Sequence, residues 1–207
     1  ATLAWYMPIF KLLGPWKKTP TLTVTSQTES KWVTTQQGHG SGPALYGFPV
    51  SDFLRKDYPN VKFLLVGQED TGSPDRVPVS YLQRYEKNEN FTWLGYRVDI
   101  EELYSISYLA VFPSYYREGG WPRGVTEPMA MGKPVITTNS EHCSNAVEDG
   151  VSGLLVPVRD SVALSRAIEK IVNDEKLATD YGEKSREKVV KENDEELIMN
   201  QLIEGIF

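Results

Sequence analysis

The sequence predicts an α/β domain built on a doubly wound parallel sheet. From about residue 60 onward, short apolar runs alternate with segments of helical periodicity. This order of elements produces a parallel sheet with helices on both faces. The apolar runs are continuous rather than alternating, as in FLLV at 63–66, which is typical of strands buried on both faces. A chain of 207 residues suits one such domain.

The regular part of the chain supplies five predicted strands and four predicted helices. The strands are Val61 to Val66, Phe91 to Leu94, Leu109 to Phe112, Pro134 to Thr137 and Gly153 to Val156. The helices are Ile100 to Ser107, Val125 to Met131, Ser161 to Asn173 and Glu175 to Glu192. Asp160 is expected to cap the third helix, whose apolar residues recur every three to four positions. The many charges of the last helix indicate a solvated face.

The first sixty residues give a weaker pattern. Residues 22–26 are compatible with a strand, while 28–42 are polar, contain glycine and lack periodicity, so they are predicted to form a loop. A helix is expected from Val50, because glycine and proline before it cost about 1 and about 3 kcal/mol in a helix. The predicted divisions are an apolar N-terminal segment or interdomain remnant at 1–20, a nucleotide-binding domain at 21–193 and a C-terminal helix at 194–207.

Composition excludes several classes of protein. The net charge is -6 and the Lys and Arg residues are scattered, which argues against a nucleic-acid-binding protein. One cysteine and two histidines provide neither a disulfide framework nor a Cys/His zinc site. The acidic residues are spread out, so no metal is expected. With no secretory signal recognised, the predicted location is the cytoplasm.

The N-terminal stretch leaves two interpretations open. Residues 1–16 are almost wholly apolar and precede Lys17 and Lys18, yet they contain prolines, a glycine and a lysine. Such a run is too short and too broken to span a bilayer. It is either a peripheral membrane contact formed by residues 1–18 or a surface that packs on a neighbouring domain.

The segment from Phe112 to Thr138 carries the predicted chemistry. A strand, a loop containing glycines and aromatic residues, and the start of a helix follow one another there. Unpaired amides at a helix N-terminus bind phosphates, and carboxylates beside them suit sugar hydroxyls. Glu118 and Glu127 flank this loop. The alternative is that these acids only balance the helix dipole.

Several motifs in order resemble one enzyme family. They are KFLLVG at 62–67, FTWLGYRVDIEELY at 91–104, REGGWPRGVTEPMAMGKPVITT at 117–138 and VEDGVSGLLVP at 147–157. Over about residues 58–190 the chain is similar to the C-terminal, donor-binding domain of retaining GT-B glycosyltransferases, GT4-like or group 1. The resemblance implies a Rossmann-like domain that binds a nucleotide diphosphate sugar and needs neither a cofactor nor a metal.

The resemblance also implies roles for individual residues. Glu127 would hold the ribose hydroxyls, and Glu118, as the catalytic acid of the loop, would contact the donor sugar, although eight residues separate the two acids where the family has seven. The remaining donor-binding set comprises Gly119, Gly120, Trp121, Pro122, Arg123, Gly67, Gly95 and Tyr96. The last two would lie near the base. The Trp121 ring either stacks on a sugar or wedges the loop in place.

Two departures from the family pattern qualify the enzymatic interpretation. The family places Arg and Lys in the loop after the first strand, but residues 34–42, TTQQGHGSG, contain neither, and Lys31 is the nearest cation. Either Lys31 is used, or the chain is a non-catalytic nucleotide-sugar-binding module. The N-terminal domain that would bind a glycan or lipid-linked acceptor has no counterpart in this sequence, so catalysis by this chain alone is not expected.

Overall fold

The computed structural model describes residues 30–36, 50–69, 77–115 and 121–193. The apolar segment at 1–20, the strand expected at 22–26 and the helix expected at 194–207 lie outside the described residues. The predicted division of the chain at 20 and 193 therefore stays a prediction.

A parallel six-stranded sheet forms the centre of the described structure, with the strand order β3-β2-β1-β4-β5-β6. The strands are β1 (Lys31–Gln36), β2 (Val61–Val66), β3 (Phe91–Trp93), β4 (Leu109–Phe112), β5 (Val135–Thr138) and β6 (Gly153–Val156). The predicted Rossmann-like α/β class is confirmed, and the five predicted strands are present to within one residue at either end.

Helices cover both faces of this sheet. A helical segment at 50–55, here α1, precedes α2 (Val79–Tyr85), α3 (Ile100–Ile106), α4 (Arg123–Ala130), α5 (Glu141–Ala146), α6 (Ser161–Val172) and α7 (Glu175–Asn193). The sequence pattern predicts neither α2 nor α5. The predicted cap of α6 is confirmed, because an Asp160 carboxylate oxygen accepts from the Ala163 amide at 2.8 Å.

The loop predicted at 28–42 is wrong for residues 31–36, which form the central strand β1. β1 pairs with β2 on one side and β4 on the other, with Val33 opposite Leu109. Its polar residues misled the prediction, since Thr34 is almost fully buried. The Thr34 hydroxyl lies 2.5 Å from the Ser107 hydroxyl, so a hydrogen bond offsets the burial of both groups.

Alternate side chains of β4 divide the core into two clusters. Leu109 and Val111 pack on one face of the sheet with α1, α2 and α6, while Ala110 and Phe112 pack on the other with α3, α4 and α5. Helix α7 contributes Tyr181 to the first cluster and Val189 to the second. It therefore closes both sides of the core.

Helix α7 approaches the turn after α4 at backbone distance. A Cβ placed on Gly182 would lie 2.3 Å from the Gly132 carbonyl oxygen. Three of the six buried residues of α7 are small, namely Ala178, Gly182 and Ser185. The solvated face expected from the charges of α7 is thus opposite a packed face that those charges concealed.

Candidate functional site

The centre of the sheet provides a crevice at the carboxyl ends of β1 and β4. These strands are neighbours, but the chain continues from β1 toward β2 and β3 and from β4 toward β5 and β6. Connections that leave in opposite directions open a space between the two loops, and open α/β sheets bind their ligands there. Helix α4, which follows β4, begins at this edge.

The N-terminus of α4 faces this crevice with no side-chain cap. Pro122 is the N-cap residue, and its carbonyl accepts from the Val125 and Thr126 amides. Pro122 has neither a side-chain acceptor nor an amide proton. The first amides of α4, at Arg123 and Gly124, are therefore suited to an anionic group of a ligand.

Glu127 is the most unusual polar side chain of the site. It is 3% exposed, and its Oε1 accepts from Arg123 Nε at 2.8 Å and from Arg123 Nη2 at 2.7 Å. Its Oε2 is buried and has no hydrogen-bond partner among the described residues. Burial raises the pKa of the Glu127 carboxyl, and the Arg123 guanidinium opposes that rise. One oxygen is thus fixed by Arg123 and the other is left for a donor that the described residues do not supply.

Tyr104 on α3 lies behind this carboxylate. Its side chain is 1% exposed, and burial together with the negative charge of Glu127 raises the pKa of its hydroxyl well above the usual value. The phenol therefore stays neutral. Its buried, neutral side chain keeps the surroundings of Glu127 low in polarity, and low polarity strengthens the hydrogen bonds of the carboxylate.

Trp121 precedes α4 and has its ring turned into the structure. It packs against the second core cluster, and the Lys188 ammonium of α7 lies 5.3 Å from its ring centroid. These contacts hold the ring against the core and α7, and its two predicted roles, stacking on a sugar or wedging the loop, stay predictions. Pro122 and Arg123 follow directly and are brought to Glu127.

The loop after β3 lies at the same carboxyl edge of the sheet as the start of α4. The Gly67 amide donates to the Gly95 carbonyl at 2.8 Å, and Trp93 Nε1 donates to the Gly67 carbonyl at 2.8 Å. Gly95 has φ +63, a value that favours glycine, and its neighbour Tyr96 is 70% exposed. Gly67, Gly95 and Tyr96 are therefore brought together at the ends of β2 and β3.

Lys31 is not brought to this edge, which corrects the expectation that it lies at the donor phosphates. It begins β1, at the amino edge of the sheet. Its Nζ donates to the Val172 carbonyl at 2.6 Å and lies 4.4 Å from the Tyr108 ring centroid. Lys31 therefore completes the end of α6, and the other five residues of β1 separate it from the crevice.

Three predicted site residues, Glu118, Gly119 and Gly120, lie outside the described residues. Within the described ranges, no group of three His, Cys, Asp or Glu side chains is arranged to hold a metal ion. In the same ranges no helix is long and apolar enough to cross a membrane.

Sequence reasoning missed two features of the site. One is the pairing of Arg123 with Glu127, which the spacing of four residues on a helix would have revealed. The other is a set of contacts that hold the chain after β4. Thr137 Oγ1 donates to the Phe112 carbonyl at 2.7 Å, and Thr138 Oγ1 donates to the Ser114 carbonyl. No sequence signal identifies the partners of these two threonines.

Comparison with known proteins supports one family. The family model described as "Glycosyl transferases group 1" matches residues 50–188. The capsular polysaccharide biosynthesis glycosyltransferase CapM of Staphylococcus aureus is 31% identical over 144 residues, covering 69% of this chain and 37% of CapM. The N,N'-diacetylbacillosaminyl-diphospho-undecaprenol alpha-1,3-N-acetylgalactosaminyltransferase of Campylobacter jejuni is 32% identical over 130 residues, covering 63% of this chain and 32% of that enzyme.

A solved structure shares the fold. HepE of Anabaena, crystallised in complex with UDP, superposes with a TM-score of 0.75 at 23% identity, over 86% of this chain and 49% of HepE. The chain spans about half of that structure and about a third of the length of the two curated relatives, 37% and 32%.

Proposed function

The chain belongs to the group 1 glycosyl transferases, and on that premise we propose that it forms the donor-binding domain of such an enzyme. It binds a nucleotide diphosphate sugar, and the sugar passes to an acceptor with retention of anomeric configuration. Backbone contacts around Gly95 and Tyr96 select the base of this donor.

The observation that carries the proposal is the second oxygen of Glu127. A buried carboxylate oxygen without a partner is costly, since its water is lost and nothing replaces it. Two vicinal ribose hydroxyls would donate to this carboxylate and remove that cost. Arg123 favours the ionised form of the carboxyl and orients it by holding the other oxygen.

The remaining parts of the crevice suit the rest of such a donor. The uncapped start of α4 offers amides and a partial positive charge to the diphosphate. Gly95 and Tyr96 offer backbone and an exposed ring to the base. Glu118, Gly119 and Gly120 are proposed, from the family pattern alone, to contact the sugar, with Glu118 as the catalytic acid of the loop.

The acceptor site is proposed to lie outside the donor-binding domain. The Campylobacter relative is named for a sugar acceptor on diphospho-undecaprenol, and CapM for capsular polysaccharide biosynthesis. A glycan or a lipid-linked glycan is therefore the acceptor class proposed for this chain, bound by a second domain across the crevice. The chemistry of transfer requires both substrates in one place.

A second candidate function is a binding module without turnover. Residues 37–49, which follow β1, contain no Arg or Lys. Cations at that position would stabilise the departing diphosphate, and the loss of one such group costs about 3 kcal/mol of transition-state stabilisation. Their absence favours binding over catalysis, and this candidate keeps the same donor site.

Calorimetric titration with UDP, GDP, ADP and their sugars tests the proposal. One nucleotide series is expected to bind the chain, and Glu127→Ala is expected to weaken that binding about 100-fold, because the variant removes both charged hydrogen bonds to ribose. Glu141→Ala, an exposed carboxylate at the start of the short helix α5, is the matched control and should leave the affinity unchanged.

Two outcomes separate the candidates. Donor hydrolysis, or transfer when a partner domain is added, supports the enzyme, whereas tight binding without any turnover supports the binding module. Absence of binding to every nucleotide, with the chain folded, contradicts both.

A further inference from the structure

Arg159 adopts a backbone conformation that is unfavourable for its side chain. Its φ is +60, and among the described residues no other non-glycine residue has a positive φ. This left-handed conformation favours glycine, and residues held in it concentrate at functional sites. Arg159 precedes Asp160, the cap of α6, so glycine would make the same turn without the strain. The conformation alone does not explain an arginine here.

The Arg159 side chain makes a contact that glycine cannot. Its guanidinium carbon lies 4.3 Å from the ring centroid of Tyr115. Arg159 follows β6 and Tyr115 follows β4, and β5 lies between these strands. The stacked pair therefore spans the carboxyl ends of three strands, at the edge where the donor is proposed to bind.

The position of Tyr115 in the chain links this contact to the donor site. It is the third residue after β4 and lies on the connection that leads to α4. The residue before it is already held, since Ser114 is fully buried and its carbonyl accepts from Thr138 Oγ1. Tyr115 is partly exposed, and the Arg159 guanidinium over its ring joins it to the loop after β6.

We propose that Arg159 and Tyr115 are a positioning pair that fixes the chain after β4 for donor binding. Neither residue is assigned a contact with the donor. The pair acts by holding the start of the connection that carries Glu118 in the sequence and ends at the N-terminus of α4. This inference rests on the proposed function, because it assumes that the connection binds a donor.

Substitution of Arg159 by glycine separates positioning from stability. Arg159→Gly relieves the strained backbone, so its melting temperature is expected to equal or exceed that of the unmodified chain. Loss of an exposed cation–π contact is expected to weaken UDP-sugar, GDP-sugar or ADP-sugar binding, whichever series binds, roughly two- to fivefold. A structural role alone would lower the melting temperature and the affinity together.

Conservative variants test the contact itself. Tyr115→Phe keeps the ring and should retain the affinity, whereas Tyr115→Leu should lower it as much as Arg159→Gly does. The double variant should be no weaker than either single one, because both remove the same contact. Arg166→Ala removes an exposed positive charge from α6 and is the control for a general charge effect.

A measurement without nucleotide keeps this inference distinct from the proposed function. Arg117 is a trypsin site two residues after Tyr115, and its cleavage rate in the native chain reports how firmly the connection is held. Faster cleavage in Arg159→Gly, with slow cleavage in Tyr115→Phe and Arg166→Ala, supports the pair even if no nucleotide binds. Unchanged cleavage and unchanged affinity in Arg159→Gly overturn it.

Discussion

The two edges of the sheet use charged side chains for different purposes. At the amino edge, Lys31, Lys133 and Arg186 each donate to a carbonyl in the last two residues of a helix, those of Val172, Ser105 and Ala130. At the carboxyl edge, Glu127 keeps one buried oxygen without a partner in the described structure. Cations thus satisfy helix carbonyls at the amino edge, whereas at the carboxyl edge one oxygen of the Glu127 carboxylate has no donor in the described structure.

The direction of the helices explains this difference. In a parallel α/β sheet, the helices between strands end at the amino edge with unpaired carbonyls and begin at the carboxyl edge with unpaired amides. Cations at the amino edge satisfy those carbonyls and balance the helix dipole. Helices α2, α3, α4 and α5 begin without a side-chain cap. The cations of the amino edge therefore support the fold, whereas the uncapped helix starts of the carboxyl edge leave amides available to a ligand beside Glu127.

The size of a cavity does not make this distinction. A groove of 760 Å³ lies at the amino edge between α7 and the starts of β4 and β5, where Tyr108, Lys133 and Pro134 line it. Its cations Lys133 and Arg186 already bond carbonyls, and burial lowers the pKa of the Lys133 ammonium. A large groove whose partly buried cations are already bonded to carbonyls carries less functional information than one buried oxygen without a partner.

The largest expected effect is a loss of stability at the amino edge. Gly182→Ala places a Cβ 2.3 Å from the Gly132 carbonyl oxygen. Alanine favours helices, but α7 must move away from the turn after α4, so we expect a loss of about 3 kcal/mol in the free energy of unfolding. Urea denaturation measures it, with exposed Glu183→Ala as the control. If the contrast between the edges is correct, the folded fraction of Gly182→Ala binds nucleotide as before.

The next effect is expected at the carboxyl edge. Arg123→Met leaves the ionised Glu127 without its cation, and we expect a loss of about 2 kcal/mol at pH 7, reduced from a fully buried pair because Arg123 is partly exposed. The pKa of Glu127, already raised by burial, rises further in this variant. The loss therefore shrinks as the pH falls and the carboxyl becomes protonated. Denaturation at several pH values checks this, with Lys184→Met, from an exposed pair, as a control of small effect.

A smaller effect is expected from Lys31, which the sequence analysis placed at the carboxyl edge and which lies at the amino edge. Lys31→Met removes the hydrogen bond to the Val172 carbonyl and should cost about 1 kcal/mol of stability. Nucleotide affinity should not change, because the side chain lies at the opposite end of β1. Titration of this variant sharpens the contrast, and a large drop in affinity would place Lys31 back among the donor-binding residues.

The smallest effect is expected from Glu127→Gln, as a change in the pH dependence of stability. Burial raises the folded-state pKa of Glu127 above 4.5. Between the unfolded-state pKa and this raised pKa, the folded chain binds more protons than the unfolded chain. Stability therefore falls as the pH rises through that range. Glutamine removes this loss. The melting temperature of Glu127→Gln relative to the unmodified chain should therefore increase from pH 4 to pH 7, and a constant difference would contradict the raised pKa.

Much of the sheet was predictable from residue type. Strands β2, β4 and β6 are continuous apolar runs, because helices cover both of their faces. β1 was missed because its buried Thr34 is satisfied by Ser107, a partner 73 residues away in the sequence. No local pattern contains that information.

The helices were predictable where one face is broad and apolar. Helix α6 has such a face, whereas α2 buries only Leu82 among its seven residues. The packed face of α7 includes Gly182, Ser185 and Asn193, which are not apolar residues. Length and residue size therefore limited these predictions.

The candidate site was predictable in part. The motif around Glu127 identified the acid and the helix start, but the state of its two oxygens depends on the depth of burial and on Arg123. Lys31 was misplaced because it is near residues 34–42 in the sequence. Its place at the start of β1 puts it at the opposite edge of the sheet. The stack of Arg159 on Tyr115 joins loops more than forty residues apart, and nothing in the residue types announces it.

The crossing of α7 from one core cluster to the other has a consequence for synthesis. Domains fold while the chain leaves the ribosome, at about 5–20 residues per second. Here both core clusters are completed by α7, which begins at Glu175 and is made after the six strands of the described sheet. Until α7 is made, the parts of the two clusters that pack against Tyr181 and Val189 stay exposed, which makes them a substrate for chaperones. Expression boundaries placed before Asn193 would make that transient exposure permanent.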